Sequence, residues 1–151
     1  MDGCLFCHIA QGNARAHTVW EDEHFIAFLS VYPNTEGVTV VIPREHYSSY
    51  VFEMPDAKLQ EFIIATKKVA RLLDEKLTDV GRTALVFEGF AIDHAHAKLY
   101  PMHGTLMEKW RPIESDVKKY FDTYEGYISS HDGKRAADVD LQELARYIRG
   151  E

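Results

Sequence analysis

One long amphipathic segment among short strand-like segments most constrains the fold of this 151-residue chain. Within residues 56–77, apolar side chains recur at three- and four-residue steps, which places them in one stripe on a helix of about 3.6 residues per turn. Asp56, directly after Pro55, is expected to cap this helix. The opposite side carries lysine, arginine and glutamate, which are typical of a surface in water. The pattern therefore predicts one long helix with a single buried side.

Five short segments have the composition of β-strands, three before the long helix and two after it. They are residues 19–21, 25–29, 38–42, 83–87 and 94–100. Strands clustered on both sides of one helix predict an α+β fold with a five-stranded antiparallel sheet. After the cysteine pair, residues 8–11 are expected to complete a short N-terminal helix, with a further short strand at 125–130 and a C-terminal helix at 138–149.

Length and composition predict a single domain. Residues 1–103 form its expected core, and residues 104–151 form a C-terminal extension that packs on the same domain. The net charge of −7 gives no attraction for nucleic acid or an anionic membrane, so neither partner is expected. Two cysteines are too few for a disulfide framework, and no apolar run or secretory signal pattern is present. We therefore expect a cytoplasmic protein.

Two histidines and a lysine alternate in the last predicted strand. His94, His96 and Lys98 occupy every second position, so a strand would place their side chains on one face. Two imidazoles and an ammonium on one face can hold a phosphate, with a neutral imidazole as nucleophile or base. An exposed polar strand edge is the alternative interpretation of this pattern.

The two cysteines, Cys4 and Cys7, are separated by two residues near the N-terminus. Thiolate and imidazole are ligands that zinc prefers, so this pair could provide half of a tetrahedral site, with His46 and His94 as candidates for the other half. A redox dithiol is an alternative, although that motif is expected after a strand and at the start of a helix. Reduced cysteines without a metal are a third interpretation.

The order of these motifs resembles the histidine-triad family across residues 4–103. The matching stretches are residues 4–7, 20–28, 37–46, the long helix and 94–96. The resemblance implies a hydrolase or transferase that acts on the α-phosphate of a nucleotide, such as a nucleoside phosphoramidate or a dinucleoside polyphosphate, often as a homodimer. In that family the middle histidine attacks phosphorus and forms a covalent nucleotidyl-histidine intermediate. The corresponding residue is His96, and His94 and Lys98 complete the implied catalytic group.

The resemblance also implies a zinc site. The zinc-containing branch of the family uses positions that correspond to Cys4, Cys7, His46 and His94. All four ligands would come from the protein, which is typical of a structural rather than a catalytic site. Such a site would attach the N-terminus to the catalytic strand and orient His96.

Several positions depart from the family pattern. Lys98 replaces the third histidine, which favours binding of phosphate over proton transfer to the leaving group and leaves hydrolysis or transfer open. Val38 replaces a further histidine of the family. Ser30 stands at the acidic ribose-binding position of the family, and Phe87 stands at the position of an asparagine. Five residues are expected to contact the substrate: Phe28, Ser30, Phe87, Gly89 and His103. An alternative function is a zinc-stabilised nucleotide-binding or regulatory module with little turnover.

Overall fold

The computed structural model describes residues 3–126 and 132–151, and these residues form one five-stranded antiparallel sheet with flanking helices. The strands are β1 (Thr18–Glu21), β2 (Phe25–Leu29), β3 (Thr39–Pro43), β4 (Thr83–Val86) and β5 (Ala97–Pro101). Their order across the sheet is β1-β2-β3-β5-β4, which places β5 inside the sheet and β4 at an edge. The predicted α+β class with an antiparallel sheet is confirmed.

The helices lie on both faces of the sheet. They are α1 (Leu5–Ala10), α2 (Asp56–Lys76) and α3 (Asp138–Arg149), and a short 3-10 turn spans Val51–Glu53. Phe62 of α2 and Ile148 of α3 are fully buried against the same sheet face, and together with neighbouring strand residues they form the main core. We call this side of the sheet the core face. None of the helices in the described parts of the chain is both long and apolar enough to cross a membrane.

The opposite side of the sheet carries α1. Phe6 and Ile9 of α1 pack there in a smaller apolar cluster with strand residues, among them Phe28 and Ile42. Phe6 also contacts the rings of His94 and His96, which lie in the chain just before β5. Polar side chains of the histidine-rich segment therefore meet α1 on this side.

Helix α3 belongs to the extension and joins the main core. Its buried residues are Leu141, Ala145 and Ile148. Nε2 of His17, just before β1, lies 3.0 Å from Oδ1 of Asp138 at the start of α3. Arg149, at the end of the same helix, donates a hydrogen bond to the carbonyl of Thr18. Both ends of α3 are therefore attached to the start of the edge strand β1.

Several element boundaries differ from the sequence prediction. Helix α1 begins at Leu5, where Sγ of Cys4 accepts the backbone N–H of Cys7 at 3.4 Å, and it ends at Ala10, one residue before the predicted end. The prediction that Asp56 caps α2 was wrong, because Pro55 holds the cap position and Asp56 is the first helical residue. The strand predicted at 125–130 lies mostly outside the described residues, and 125–126 are not in a strand.

Strand β5 begins three residues later than predicted. Its ladder with β3 starts at the pairing of Ala97 with Val41. Before that point, the backbone N–H of Ala95 donates to the carbonyl of Tyr47 at 2.9 Å instead of to β3. His94 and His96 therefore lie in an extended lead-in to β5, beyond the regular ladder.

Candidate active site and metal site

Side chains of the lead-in and of β5 alternate between the two sides of the sheet. Three residues at alternate positions are fully buried in the core face: Ala95, Ala97 and Leu99. The rings of His94 and His96 instead contact Phe6 of α1, with centroid distances of 5.9 and 5.5 Å. Lys98 pairs across the ladder with Val40, which belongs to the same apolar cluster as Phe6. We call this side, with its two imidazoles and its ammonium, the histidine face.

The ring of His96 is held in one orientation and one tautomer. Its Nδ1–H donates to the carbonyl oxygen of His94 at 2.7 Å, which leaves the lone pair on Nε2. The residue is only 4% exposed. Within the described parts of the chain, Nε2 of His96 makes no hydrogen bond, so its lone pair is available.

Burial also favours the neutral form of the two imidazoles on the histidine face. It lowers the pKa of His96, an effect that the hydrogen bond to the His94 carbonyl opposes and the nearby charge of Lys98 reinforces. Burial lowers the pKa of His94 in the same way. A neutral ring with a free Nε2 lone pair is the form that can act as a nucleophile.

The residues that precede β5 are fixed to the segment between β3 and α2. Oδ1 of Asp93 accepts the backbone N–H of Ser49 at 2.9 Å, close to the bond between Ala95 and Tyr47. Gly89 has a φ of +82°, and a Cβ there would lie 2.9 Å from the carbonyl oxygen of Ser49. Glycine is thus required both by the left-handed backbone and by the close approach. These contacts attach the backbone before His96 to the segment that follows β3.

The predicted metal ligands come together beside the histidine face. One ligand atom from each residue of the set lies within 4.8 Å of the others: Cys4, Cys7, His46 and His94. Nδ1 of His94 is 3.5 Å from both sulfur atoms, and Nδ1 of His46 is 3.4 Å from the sulfur of Cys7. Zinc bonds of about 2.3 Å to sulfur and about 2.05 Å to nitrogen give a sulfur–nitrogen edge of about 3.5 Å in a tetrahedron. The donor set therefore fits zinc.

A hydrogen bond outside the metal cluster orients His94. Its Nε2–H donates to the carbonyl oxygen of Pro43 at 2.9 Å, so the lone pair lies on Nδ1, the atom nearest the sulfurs. Histidine ligands of metals are usually held by such a bond from the second ring nitrogen. Pro43 ends β3, and that strand therefore supports the ring that precedes His96 by two residues.

The structure places three of the predicted substrate contacts on or beside the histidine face. Phe28 pairs with Val40, which pairs with Lys98, so the three stand in one row across neighbouring strands. Ser30 follows β2 one step along the same side, and its Oγ accepts the backbone N–H of Tyr32 at 3.2 Å. Gly89 lies in the turn that leads to His94.

Phe87 and His103 are not brought to this face. The ring of Phe87 packs against Phe62 of α2 with a centroid distance of 5.4 Å, on the core face. His103 lies beyond the far end of β5, where its two ring nitrogens are each 2.8 Å from an oxygen, Oδ1 of Asp79 and the carbonyl of Glu36. Neither residue is part of the candidate site.

Two residues at the site were not predicted from the sequence. Phe6 contacts both imidazoles, and its position between the two cysteines of the metal cluster is the signal that could have found it. Asp132 has a carboxylate oxygen 3.5 Å from Nζ of Lys98. No local pattern links Asp132 to Lys98, because the two residues are 34 positions apart in the chain.

Comparison with known proteins gives a family for this arrangement. The sequence model of the HIT domain matches residues 11–137. An uncharacterized HIT-like protein of Methanocaldococcus jannaschii is 36% identical over 97% of this chain and 99% of its own length. The similarity therefore includes most of the extension as well as the sheet.

Two further proteins are similar to this chain. The adenosine 5'-monophosphoramidase hnt1 of Schizosaccharomyces pombe is 29% identical over 65% of this chain and 73% of its own length. The crystal structure of a zinc-bound histidine triad family protein from Mycobacterium smegmatis shares the fold, with a TM-score of 0.66 and 23% identity. That match covers 99% of this chain and 92% of the other.

Proposed function

The chain belongs to the HIT family, and from this premise we propose that it is a nucleotide hydrolase with His96 as its nucleophile. The single observation that carries the proposal is the state of His96: its Nδ1–H is held by the His94 carbonyl, and its Nε2, which makes no hydrogen bond to a described residue, lies near the charge of Lys98. The name of the S. pombe relative supports a nucleoside phosphoramidate as the substrate class.

The proposed reaction has two steps at phosphorus. Nε2 of His96 attacks the α-phosphorus, the phosphorus–nitrogen bond breaks, and the amine leaves after it takes a proton from solvent. Water then attacks the same phosphorus and releases a proton to solvent, the bond to Nε2 breaks, and the nucleoside monophosphate is released. The positive charge on the ring in the covalent intermediate is stabilised by the hydrogen bond from Nδ1–H to the His94 carbonyl.

Lys98 is the proposed binding group for the phosphoryl oxygens. Its ammonium is on the same face as Nε2 of His96, and a fixed cation stabilises the charge that develops on those oxygens. His94 supports the step through its carbonyl. We propose that Phe28, Ser30 and Gly89 line the substrate site, with Gly89 allowing close approach of the backbone.

We propose that zinc binds Cys4, Cys7, His46 and His94 and has a structural role. Four protein ligands leave no position for water or substrate, so zinc bound there would stabilise the fold without entering the reaction. It would join α1 to the lead-in of β5, which carries His96. The ligand sulfurs are free thiols, and a reducing compartment such as the cytoplasm keeps them available.

A homodimer is also proposed. Strand β4 is an edge of the sheet, and its Leu85 is exposed, as are Ile63 and Ile64 on α2. An edge strand with exposed apolar neighbours is typically covered by another chain. Light scattering on the purified protein tests this proposal, and a monomeric mass at micromolar concentration would contradict it.

A nucleotide-binding module with little turnover is the second candidate function. The observation that favours it is the ion pair of Lys98 with Asp132, which leaves the third position of the motif bound to a carboxylate. Such a module would bind a nucleoside monophosphate without cleaving phosphoramidates.

Hydrolysis of adenosine 5'-phosphoramidate, followed by release of AMP, tests the proposed function. The wild-type protein should turn over many times, and His96→Asn should reduce kcat by at least a hundredfold because its side chain cannot form the intermediate. Lys98→Gln should mainly raise KM and retain part of the activity. Activity in His96→Asn equal to that of the wild type would contradict the proposal. Binding of AMP without turnover by the wild type would favour the second candidate.

A further inference from the structure

The extension places a carboxylate beside the histidine face. Oδ1 of Asp132 lies 3.5 Å from Nζ of Lys98. The side chain of Lys98 is 19% exposed, whereas that of Asp132 is 51% exposed. The pair is therefore open to water on the side of the carboxylate, and an anion from solution can approach the same ammonium.

Asp132 is held in this position by its chain neighbours as well as by the ion pair. The backbone N–H of Ala136 donates to the carbonyl of Val31 at 2.8 Å. A Cβ at Gly133 would lie only 2.0 Å from the carbonyl oxygen of Pro33, so this close approach requires glycine. The residues after Asp132 are thus packed on the segment that follows β2, next to the proposed substrate contact Ser30.

The sheet itself offers Lys98 no side-chain acceptor across the ladder. The cross-strand partner of Lys98 is Val40 on β3, and on β4 it is Val86. These two partners are apolar, and the carboxylate that the ammonium binds comes from the extension. The carboxylate of Asp132 and a phosphoryl group of a nucleotide would both accept hydrogen bonds from this ammonium.

We propose that Asp132 sets the affinity of this site for phosphoryl groups, because it competes with them for the ammonium of Lys98. The inference rests on the proposed function, since it assumes that a phosphoryl group binds between His96 and Lys98. In the free protein the ammonium binds the carboxylate. When a nucleotide binds, a phosphoryl oxygen takes the place of the carboxylate, which is released to water.

Calorimetric titration with AMP and with adenosine tests the competition. Asp132→Asn removes the carboxylate charge at nearly constant size, and AMP should bind about twofold to fivefold more tightly, the range expected for an exposed ion pair. Adenosine, which has no phosphate, should bind as it does to the wild type. Asp122→Asn is the matched control, because it changes the charge of another exposed residue of the extension and should leave AMP affinity unchanged.

Gly133→Ala provides a test at constant net charge. Its methyl group would force the chain away from Pro33 and move Asp132 from Lys98, so it should also strengthen AMP binding. If this variant does not fold, the comparison of Asp132→Asn with Asp122→Asn decides. Unchanged AMP affinity in Asp132→Asn, or equal gains in Asp132→Asn and Asp122→Asn, would overturn the inference.

Parallel measurement of phosphoramidate hydrolysis separates this inference from the proposed function. Hydrolysis by the wild type together with unchanged AMP affinity in Asp132→Asn would overturn the competition and leave the hydrolase standing. Tighter AMP binding in Asp132→Asn without hydrolysis by any variant would support the competition and contradict the hydrolase.

Discussion

Replacing Phe6 by leucine tests whether one aromatic ring holds α1 against the histidine face. The ring is 8% exposed and makes edge contacts at centroid distances of 5.6 Å to Phe28, 5.9 Å to His94 and 5.5 Å to His96. Such pairs contribute about 0.5–1.5 kcal/mol each beyond the burial of apolar area. Because the three share one ring, their energies do not fully add, and we expect Phe6→Leu to lower the free energy of unfolding by about 1–3 kcal/mol.

Urea denaturation with zinc in excess measures this loss. Leu5→Ala is the matched control, because Leu5 lies in the same helix but is 50% exposed, and its effect should stay within about 0.5 kcal/mol. The kcat for phosphoramidate hydrolysis should also fall in Phe6→Leu, since the ring of His96 loses a neighbour that fixes its orientation. A stability loss no larger than that of Leu5→Ala would refute the reasoning.

Three further predictions concern the metal, the extension and pH. Cys4→Ser should lower the zinc content from about one per chain and should lower the melting temperature, with a smaller effect on kcat. Atomic absorption, calorimetry and the hydrolysis assay check this. Ile148→Ala should cost about 2–5 kcal/mol in a single unfolding transition if the extension shares the domain, whereas the exposed Val139→Ala should cost little. Hydrogen bonds to the Glu36 carbonyl and to Asp79 raise the pKa of His103 above 6.5, and His103 lowers the pKa of Asp79 below 3.8. The pair therefore stabilises the fold fully between about pH 3.8 and pH 6.5, and this stabilisation is lost as the pH rises through the raised pKa of His103. His103→Gln should accordingly lower the melting temperature more at about pH 5.5 than at about pH 8.5.

Local patterns were sufficient to predict most elements of the fold. The bounds of β2 agree with the prediction at both ends, and α2 ends at Lys76, one residue before the predicted end. These elements are specified by the spacing of their own apolar residues. The shared direction of His94, His96 and Lys98 was also predictable, because alternation is a property of any extended backbone.

Features that depend on other parts of the chain were not predictable in this way. The start of β5 depends on where β3 ends and on the carbonyl of Tyr47, which captures the N–H of Ala95. Phe87 was expected at the substrate, but its place is set by Phe62 on the core face. The approach of Asp132 to Lys98 depends on the packing of a segment with no regular secondary structure.

Rapid-quench trapping of a covalent adduct tests the role of His96 most directly. The wild-type protein is mixed with radiolabelled adenosine 5'-phosphoramidate, quenched within milliseconds and digested, and the labelled peptide is identified by mass spectrometry. We expect an acid-labile adenylyl group on His96, formed and lost at rates that allow turnover, and no labelled peptide in His96→Ala. Full turnover by His96→Ala, or an adduct on another residue of the wild type, would contradict that role of His96.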